Sequence, residues 1–525
     1  MKTQKPEPQP DVSDWSREDL THEYLRAWSE IQRLKEKLGL ANRRMFGASS
    51  EAAPTAQFAL VFDEAELEAS PEAPEPELET ITYTRARAPR QRTLDLGTLP
   101  VEEIEYTLPE GDRACPQCSG EMHSIGHDVR QELKRIPASI TLVKHCREKF
   151  ACRHCQQNER STPIRIAPAP VPAFPGSLAS PSIVASIMDR KFVEGMPLYR
   201  QQQSLARLGV DISRQTMANW MIAGSRWLQI VYDAMRERLV ERDVLHADET
   251  TVQVLREAER AAQTQSYMWL YRTGRDGPHI VLFDYQTTRS GEHPRRFLER
   301  FTGYLHADGY SGYHDLPGAT LCGCWEHVRR KFVDAVNVQP KDARKAGQSA
   351  SHKGLEFCNR LFGIERGLHD VTPDGRRAGR QLHSRKALDQ MREWLDQTAR
   401  QASPKSLLGS ALTYCVNQWP KLCRFLEDGR LEIDNNRAER SIKPFVIGRK
   451  NWLFANTPKG ATASAVTYSI VETAKENGLN PAAYLQHLFE QLPNIDIHDP
   501  RQLDQLLPWS EVVKERCAAP ANKRA

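Results

Sequence analysis

From Leu20 the apolar positions Leu20, Tyr24, Ala27, Ile31, Leu34 and Leu38 advance by alternating steps of four and three, the spacing that lays one apolar stripe along a helix. The stripe covers under three heptads, so it fits a helix that zips onto a second copy or one that packs on its own chain. Residues 52 to about 80 lose the pattern. Ala, Pro and Glu dominate there, too little apolar surface is available to order them, and a flexible acidic linker is expected. The run IAPAPVPAFPGS, residues 166–177, marks a boundary. Beyond it, MPLYRQQQSLARLGVDISRQTMANWM, residues 196–221, reads as a helix, a turn at Gly209 and a second helix capped by Ser213 that carries Thr216, Trp220 and Met221. This is a helix-turn-helix pattern, which any antiparallel helical pair shares.

At Asp243 the period shifts to that of strands. DVLHADET, SYMWLYRTG and HIVLFDYQT are apolar runs at hairpin spacing, with RTGRDGP turning between the second and third. GEHPRRFLERF, residues 291–301, fits a helix. YLHADGYSGY, residues 304–313, fits a fourth strand, and ATLCGCWEH, residues 319–327, a fifth that runs into a basic helix whose Arg329, Arg330 and Lys331 are expected to contact DNA. Residues 335–430 look mainly helical. The order β-β-β-α-β-α-β-α, with acids at the ends of strands one and four, is ribonuclease H-like. The predicted fold class is multidomain α/β, a ribonuclease H-like core interrupted by a helical insertion.

Those acids raise the first chemical question. One carboxylate after a strand is a turn or a helix cap as readily as a site. Asp248 and Asp308 on neighbouring strands would repel unless a divalent cation neutralised them, and magnesium suits such a pair. A third acid is offered by LEIDNNRAERSIKPFVIGRKNW, residues 431–452. Asp434 and Asn435 are expected to cap a helix there, with Glu439 one turn inside and Arg437, Arg440, Lys443, Arg449 and Lys450 placed to meet phosphates. A carboxylate amid so many bases also fits a plain ion pair. Asp434 and Glu432 are the next candidates for the third acid.

Cys115-Pro-Gln-Cys118 and Cys152-Arg-His-Cys155 are two C-x-x-C knuckles, and four thiolates suit a structural tetrahedral zinc. Their separation exceeds the common spacing, so His123, His127, His145, Cys146 and His154 stay open as ligands, and redox chemistry is the other use of such pairs. Composition narrows the picture. Lys and Arg total 72 against 68 Asp and Glu, a formal +4, but residues 63–79 hold eight acids and no base, leaving about +12 on the rest. That excess permits basic faces for nucleic acid, as does TRARAPRQR, residues 84–92, with its four arginines. No leading apolar segment and no run of the roughly 20 apolar residues a membrane span needs is present. A soluble cytoplasmic protein with reduced cysteines, working at the nucleoid, is expected.

HADET, HADGYSGY, CWEHVRRKF, DNNRAERSIKPFVIGRKNWLF and YSIVETAKENGLNPAAYLQHL resemble, in order, the successive motifs of the insertion-sequence-66 family of DDE transposases. The resemblance spans most of the chain, including the leading helix that ends in FGASSE and the cysteine knuckles. It implies that Asp248, Asp308 and Glu439 form a triad holding two Mg2+, with Glu249 and Asp434 as neighbours. It implies cleavage at the ends of an insertion sequence and strand transfer into target DNA. Cys324 and His327 resemble the C-x-x-H signature that follows the second Asp in several transposase families. They are expected to order the site rather than hold zinc, because only Cys322 could add a third ligand locally. The implied partners are double-stranded DNA, further copies of the chain and accessory proteins of the same element. A hydrolytic nuclease of the same superfold and a noncatalytic zinc-containing DNA-binding regulator are the rival functions. The expected division is residues 1–51, amphipathic helix; 52–105, acidic linker and basic arm; 106–165, zinc-binding domain; 178–240, helix-turn-helix-like region; 241–334 and 431–475, the two parts of the core; 335–430, helical insertion; and 476–525, a C-terminal helical segment and tail.

Overall fold

The computed structural model describes residues 16–46, 139–151 and 164–520. The leading pattern forms one helix, α1 (Arg17–Phe46), and its stripe is solvent-facing, from 45% exposed at Leu20 to 67% at Tyr24. A short antiparallel ribbon joins β1 (Lys149–Ala151) to β2 (Ile164–Ile166). Cys115, Cys118, Cys152 and Cys155 lie outside the described residues, as do His123, His127 and His154, and the linker and basic arm lie there too.

Three helices follow: α2 (Pro181–Phe192), α3 (Leu198–Arg207) and α4 (Arg214–Val240). Gly209 turns between α3 and α4 at φ +79°, a conformation that costs glycine little. Ser213 caps α4 by accepting the Thr216 N–H. α4 is 27 residues long, and its buried Met217, Met221, Leu228, Val231, Met235 and Leu239 make it a core helix along most of its length.

The sheet comprises β3 (Val244–Gln253), β4 (Gln265–Thr273), β5 (Val281–Gln286), β6 (Gly303–His306) and β7 (Ala319–Cys322), in the order β5-β4-β3-β6-β7. β3, β4 and β5 pair antiparallel, whereas β3, β6 and β7 pair parallel. Three expectations need correction. β3 does not end at Asp248, because β4 pairs with it along Leu245–Gln253 and holds it extended for five residues more. The fourth and fifth strands stop early, at His306 and Cys322. The helix expected over 291–301 is α5 (Glu292–Phe297) alone. Past it, Leu298 leaves helical geometry and the Phe301 N–H bonds to Leu298 in a tight turn.

Residues 325–422 are mainly helical: α6 (Trp325–Asn337), α7 (Lys341–Ala346), α8 (Ala350–Gly367), α9 (Pro373–Gly379), a π-helical turn at Arg380–Ser384, α10 (Arg385–Ala399) and α11 (Leu407–Leu422). The chain returns through residues 423–435 to α12 (Asn436–Trp452) and α13 (Pro458–Glu476). It then forms α14 (Pro481–Gln491), α15 (Pro500–Asp504) and α16 (Glu511–Cys517). Among the described residues two apolar cores result. One joins the sheet to α2, α4, α12, α13 and α14; the other joins Trp325, Val328 and Phe332 of α6 to α8, α10, α11 and the return segment.

Candidate active site

The parallel register pairs His246 with His306 and goes no further. Ala and Asp follow in the chain after each histidine, so Asp248 and Asp308 both stand two residues past the last parallel pair. β4 keeps Asp248 inside a strand, opposite Leu270. Asp308 is in a loop, where its Oδ1 accepts the Tyr310 N–H at 2.8 Å. Glu439 comes from the first turn of α12, whose buried Ala438, Ile442 and Phe445 seat it on the sheet. The structure thus brings the three acids from β3, the loop after β6 and α12 toward one place.

The electrostatics there are lopsided. Burial, then Glu249, Asp308 and Glu439, push the Asp248 carboxyl well above the carboxylate range, and the Glu249 N–H only partly offsets them. Glu249 is also raised, by burial, although Tyr313 Oη donates to it at 2.5 Å and Arg289 donates to it as well. Glu439 Oε2 accepts from Arg330 at 2.5 Å, while its Oε1 is buried without a hydrogen-bond partner, 3.9 Å from His327 Nδ1. Sequence reading missed Tyr313 and Arg289. The aromatic in HADGYSGY was visible, but its reach to Glu249 across the sheet was not.

Ligand atoms of Cys324, His327 and Glu439 lie within 4.8 Å of one another. The third group beside the C-x-x-H pair is therefore Glu439 and not Cys322, which sits in β7 with its Sγ 4.0 Å from Thr320 O. Burial pushes the Cys324 thiol up to about 12, and its Sγ accepts the Asn435 N–H at 3.2 Å. The Asn435 side chain makes no capping bond to α12, contrary to expectation; Asp434 accepts the Asn436 N–H instead.

The remaining acids and cations are largely engaged. Burial raises the Glu432 carboxyl, but His246, Arg437 and Arg275 outweigh it and hold the group below its usual range. Burial lifts Asp434 to about 6. Arg329 meets Glu326 and Asn359, Arg330 meets Glu439, Lys331 lies 4.8 Å over the Tyr414 ring, and Arg437 binds Glu432. Arg449 is half-buried and donates to the hydroxyls of Thr250 and Thr251. Arg440 and Lys450 are exposed and Lys443 is half-buried.

A model described as the transposase IS66 family matches residues 176–463. The chain belongs to that family. Its C-terminal element matches residues 469–509 and its zinc-finger binding domain residues 112–156. A model described as transposase C of IS166 homeodomain matches residues 33–104, running through the acidic stretch in which no motif was recognised. Three proteins of Sinorhizobium fredii are similar along most of their length, each named only as an uncharacterized protein. y4hP is 30% identical, covering 78% of this chain and 75% of its own; y4jD is 29% identical over 91% and 94%; y4qI is 31% identical over 81% and 78%. A transposase of this family is a DNA-binding protein of an insertion sequence. Among the described residues, no helix of this transposase is long and apolar enough to cross a membrane.

Proposed function

We propose that the chain is a DDE transposase with a ribonuclease H-like core, in which Asp248, Asp308 and Glu439 hold two Mg2+ and residues 335–430 are an insertion into that core. The carrying observation is the set of acids with too few cations: Asp248 is repelled by three carboxylates and partnered by none of the nearby arginines. The sheet order and the family membership support the same reading. The donor set fits a hard divalent cation. Oxygens predominate, Glu439 Oε1 is buried without a hydrogen-bond partner, and the Cys324 thiol is held protonated. Bound there, Mg2+ supplies charge neutralisation at the scissile phosphate and a lower pKa for the attacking water.

The protein's own part is positioning. Asp248 feels the charge of both other acids, and pairing with β4 holds it in an extended strand. Arg289 and Tyr313 hold Glu249 aside. Arg440, Lys443, Arg449 and Lys450 line the DNA backbone, with Arg449 steadied on Thr250 and Thr251. Water attacks the phosphorus at the element end, the P–O3′ bond breaks, and a 3′ hydroxyl is freed. That hydroxyl then attacks a target phosphodiester, forming a new P–O3′ bond and releasing the target's own 3′ oxygen. No covalent enzyme intermediate is needed. Cys115, Cys118, Cys152 and Cys155 hold a structural zinc, and the exposed stripe of α1 joins copies of the chain.

The test is Mg2+-dependent cleavage and strand transfer on the element's own ends, comparing wild type with Asp248→Asn, Asp308→Asn and Glu439→Gln. Joined products lost in all three are expected. Cleavage without joining would favour a nuclease. Binding without cleavage would favour a regulator, and an active Glu439→Gln would move the third role to Asp434 or Glu432.

A further inference from the structure

Asn435 is the junction of the site. It is 2% exposed and directly precedes α12, where an asparagine ordinarily turns its side chain back to cap the helix. Here it does not. Nδ2 donates to Ala247 O at 2.8 Å, Oδ1 accepts from His246 Nδ1 at 3.0 Å, the backbone N–H reaches Cys324 Sγ at 3.2 Å, and the backbone carbonyl accepts the Glu439 N–H at 3.2 Å. One residue therefore touches the neighbour of Asp248, the first residue before α6 and the backbone of Glu439. Helix capping cannot be why asparagine stands here, because its side chain is spent on another strand.

The histidines extend the junction. Nδ2 must be the donor to a carbonyl, so Oδ1 is the acceptor and His246 carries its proton on Nδ1. His306 Nε2 accepts the Glu432 N–H at 3.3 Å, so that ring too is protonated on Nδ1. Both rings are fully buried and stacked, with centroids 4.4 Å apart and planes 13° apart. Each precedes an aspartate by two residues. The loop Glu432–Asn435 thereby grips β3 through His246 and Ala247 and β6 through His306, and delivers α12 immediately afterwards. Apolar packing of Ala438, Ile442 and Phe445 could hold α12 on the sheet but would not fix its register. Directional bonds to a backbone carbonyl and a ring nitrogen do.

We infer that Asn435 is a positioning residue which, through His246 and Ala247, sets where Glu439 stands relative to Asp248 and so fixes the geometry of the divalent-cation site. The inference rests on the metal-dependent reading of the three acids. Groups that orient metal ligands typically account for about 10–100-fold in metal affinity, and misplacement by about 1 Å can cost on the order of 100-fold in rate.

The experiment uses the full chain. Mn2+ binding without DNA is read by electron paramagnetic resonance, and Mg2+-dependent cleavage is read on a duplex carrying the element's end. The variants are Asn435→Ala and, as a control of matched destabilisation remote from the site, Leu488→Ala in the core of α14. Asn435→Ala should bind Mn2+ about 10-fold or more weakly and need correspondingly more Mg2+ for half-maximal cleavage, with DNA binding retained. Leu488→Ala should lower the melting temperature and leave both metal titrations unchanged. If Asn435→Ala does not fold, Asn435→Asp is read in the same way, since it keeps the volume and the acceptor to His246 but lacks the donor to Ala247. Wild-type metal titrations in the Asn435 variant, or an equal shift in Leu488→Ala, overturn the inference. A wild type that binds Mn2+ but never cleaves, with binding still weakened in Asn435→Ala, sinks the transposase reaction and leaves the positioning role standing. No Mn2+ binding by wild type overturns both.

Discussion

The sheet and the helical stretch between α6 and α12 face the same difficulty and answer it with different chemistry. Each contains a buried segment with backbone groups that no neighbouring strand pairs. At the sheet edge, β5 is covered by α13: Ser469 Oγ accepts the Phe283 N–H, Thr473 Oγ1 bonds both N–H and C=O of Val281, and Asn477 donates to His279 O. In the helical region the bare segment is the return through residues 425–431, and two buried guanidiniums serve it. Arg380 donates to the carbonyls of Phe425, Asp428 and Leu431 while paired with Glu365, and Arg376 donates to Gly429 O. Neutral hydroxyls close an edge locally and blunt it against further strands. A guanidinium with five donors gathers several carbonyls at once, so the helical region clamps the segment that leads into Asn435 and Glu439.

That contrast can be broken at graded cost. The largest expected effect is chemical: Asp248→Asn should lower strand transfer by about 1,000-fold or more while leaving thermal stability equal or higher, since it removes a half-buried carboxyl whose ionisation the fold opposes. Cleavage assays beside thermal scans check this. Next, Arg380→Met should cost about 3–5 kcal/mol, because it leaves Glu365 and three carbonyls buried without their partner. Hydrogen exchange should then show protection lost across α8–α11 and residues 425–431 and kept in β3–β5; uniform loss would erase the distinction between the regions.

Acid should act in the opposite place. Burial holds His246 at about 4, against an unfolded value near 6.5, and lowers His306 as well. The unfolded chain therefore takes up protons first. The stability involved is fully present above pH 6.5 and is lost as pH falls toward 4, by roughly 1.4 kcal/mol per pH unit for His246. Urea midpoints at pH 7 and pH 5 should differ less in His246→Phe than in wild type. The smallest effect is Ser469→Ala, which leaves the Phe283 N–H unpaired at about 1–2 kcal/mol, measured as a shift in urea midpoint.

Local features of the fold, and the acids that make up the candidate site, are legible in the amino-acid sequence. Apolar runs at hairpin spacing mark β3, β4 and β5, Ser213 and Gly209 mark a helix start and a turn, and the repeated His-Ala-Asp draws attention to Asp248 and Asp308. Such signals are short-range: a cap, a turn or a strand face is specified by residues a few positions apart, where propensity and patterning act. What the linear chain withholds is partnership. β3 runs on past Asp248 because β4 lies beside it, Asn435 abandons its helix because Ala247 and His246 are within reach, and Arg330 meets Glu439 where a DNA contact was expected. His246 and Asn435 are 189 residues apart. A bond of that separation exists only once the sheet, the helical region and the return segment have closed on one another, and no local propensity encodes it.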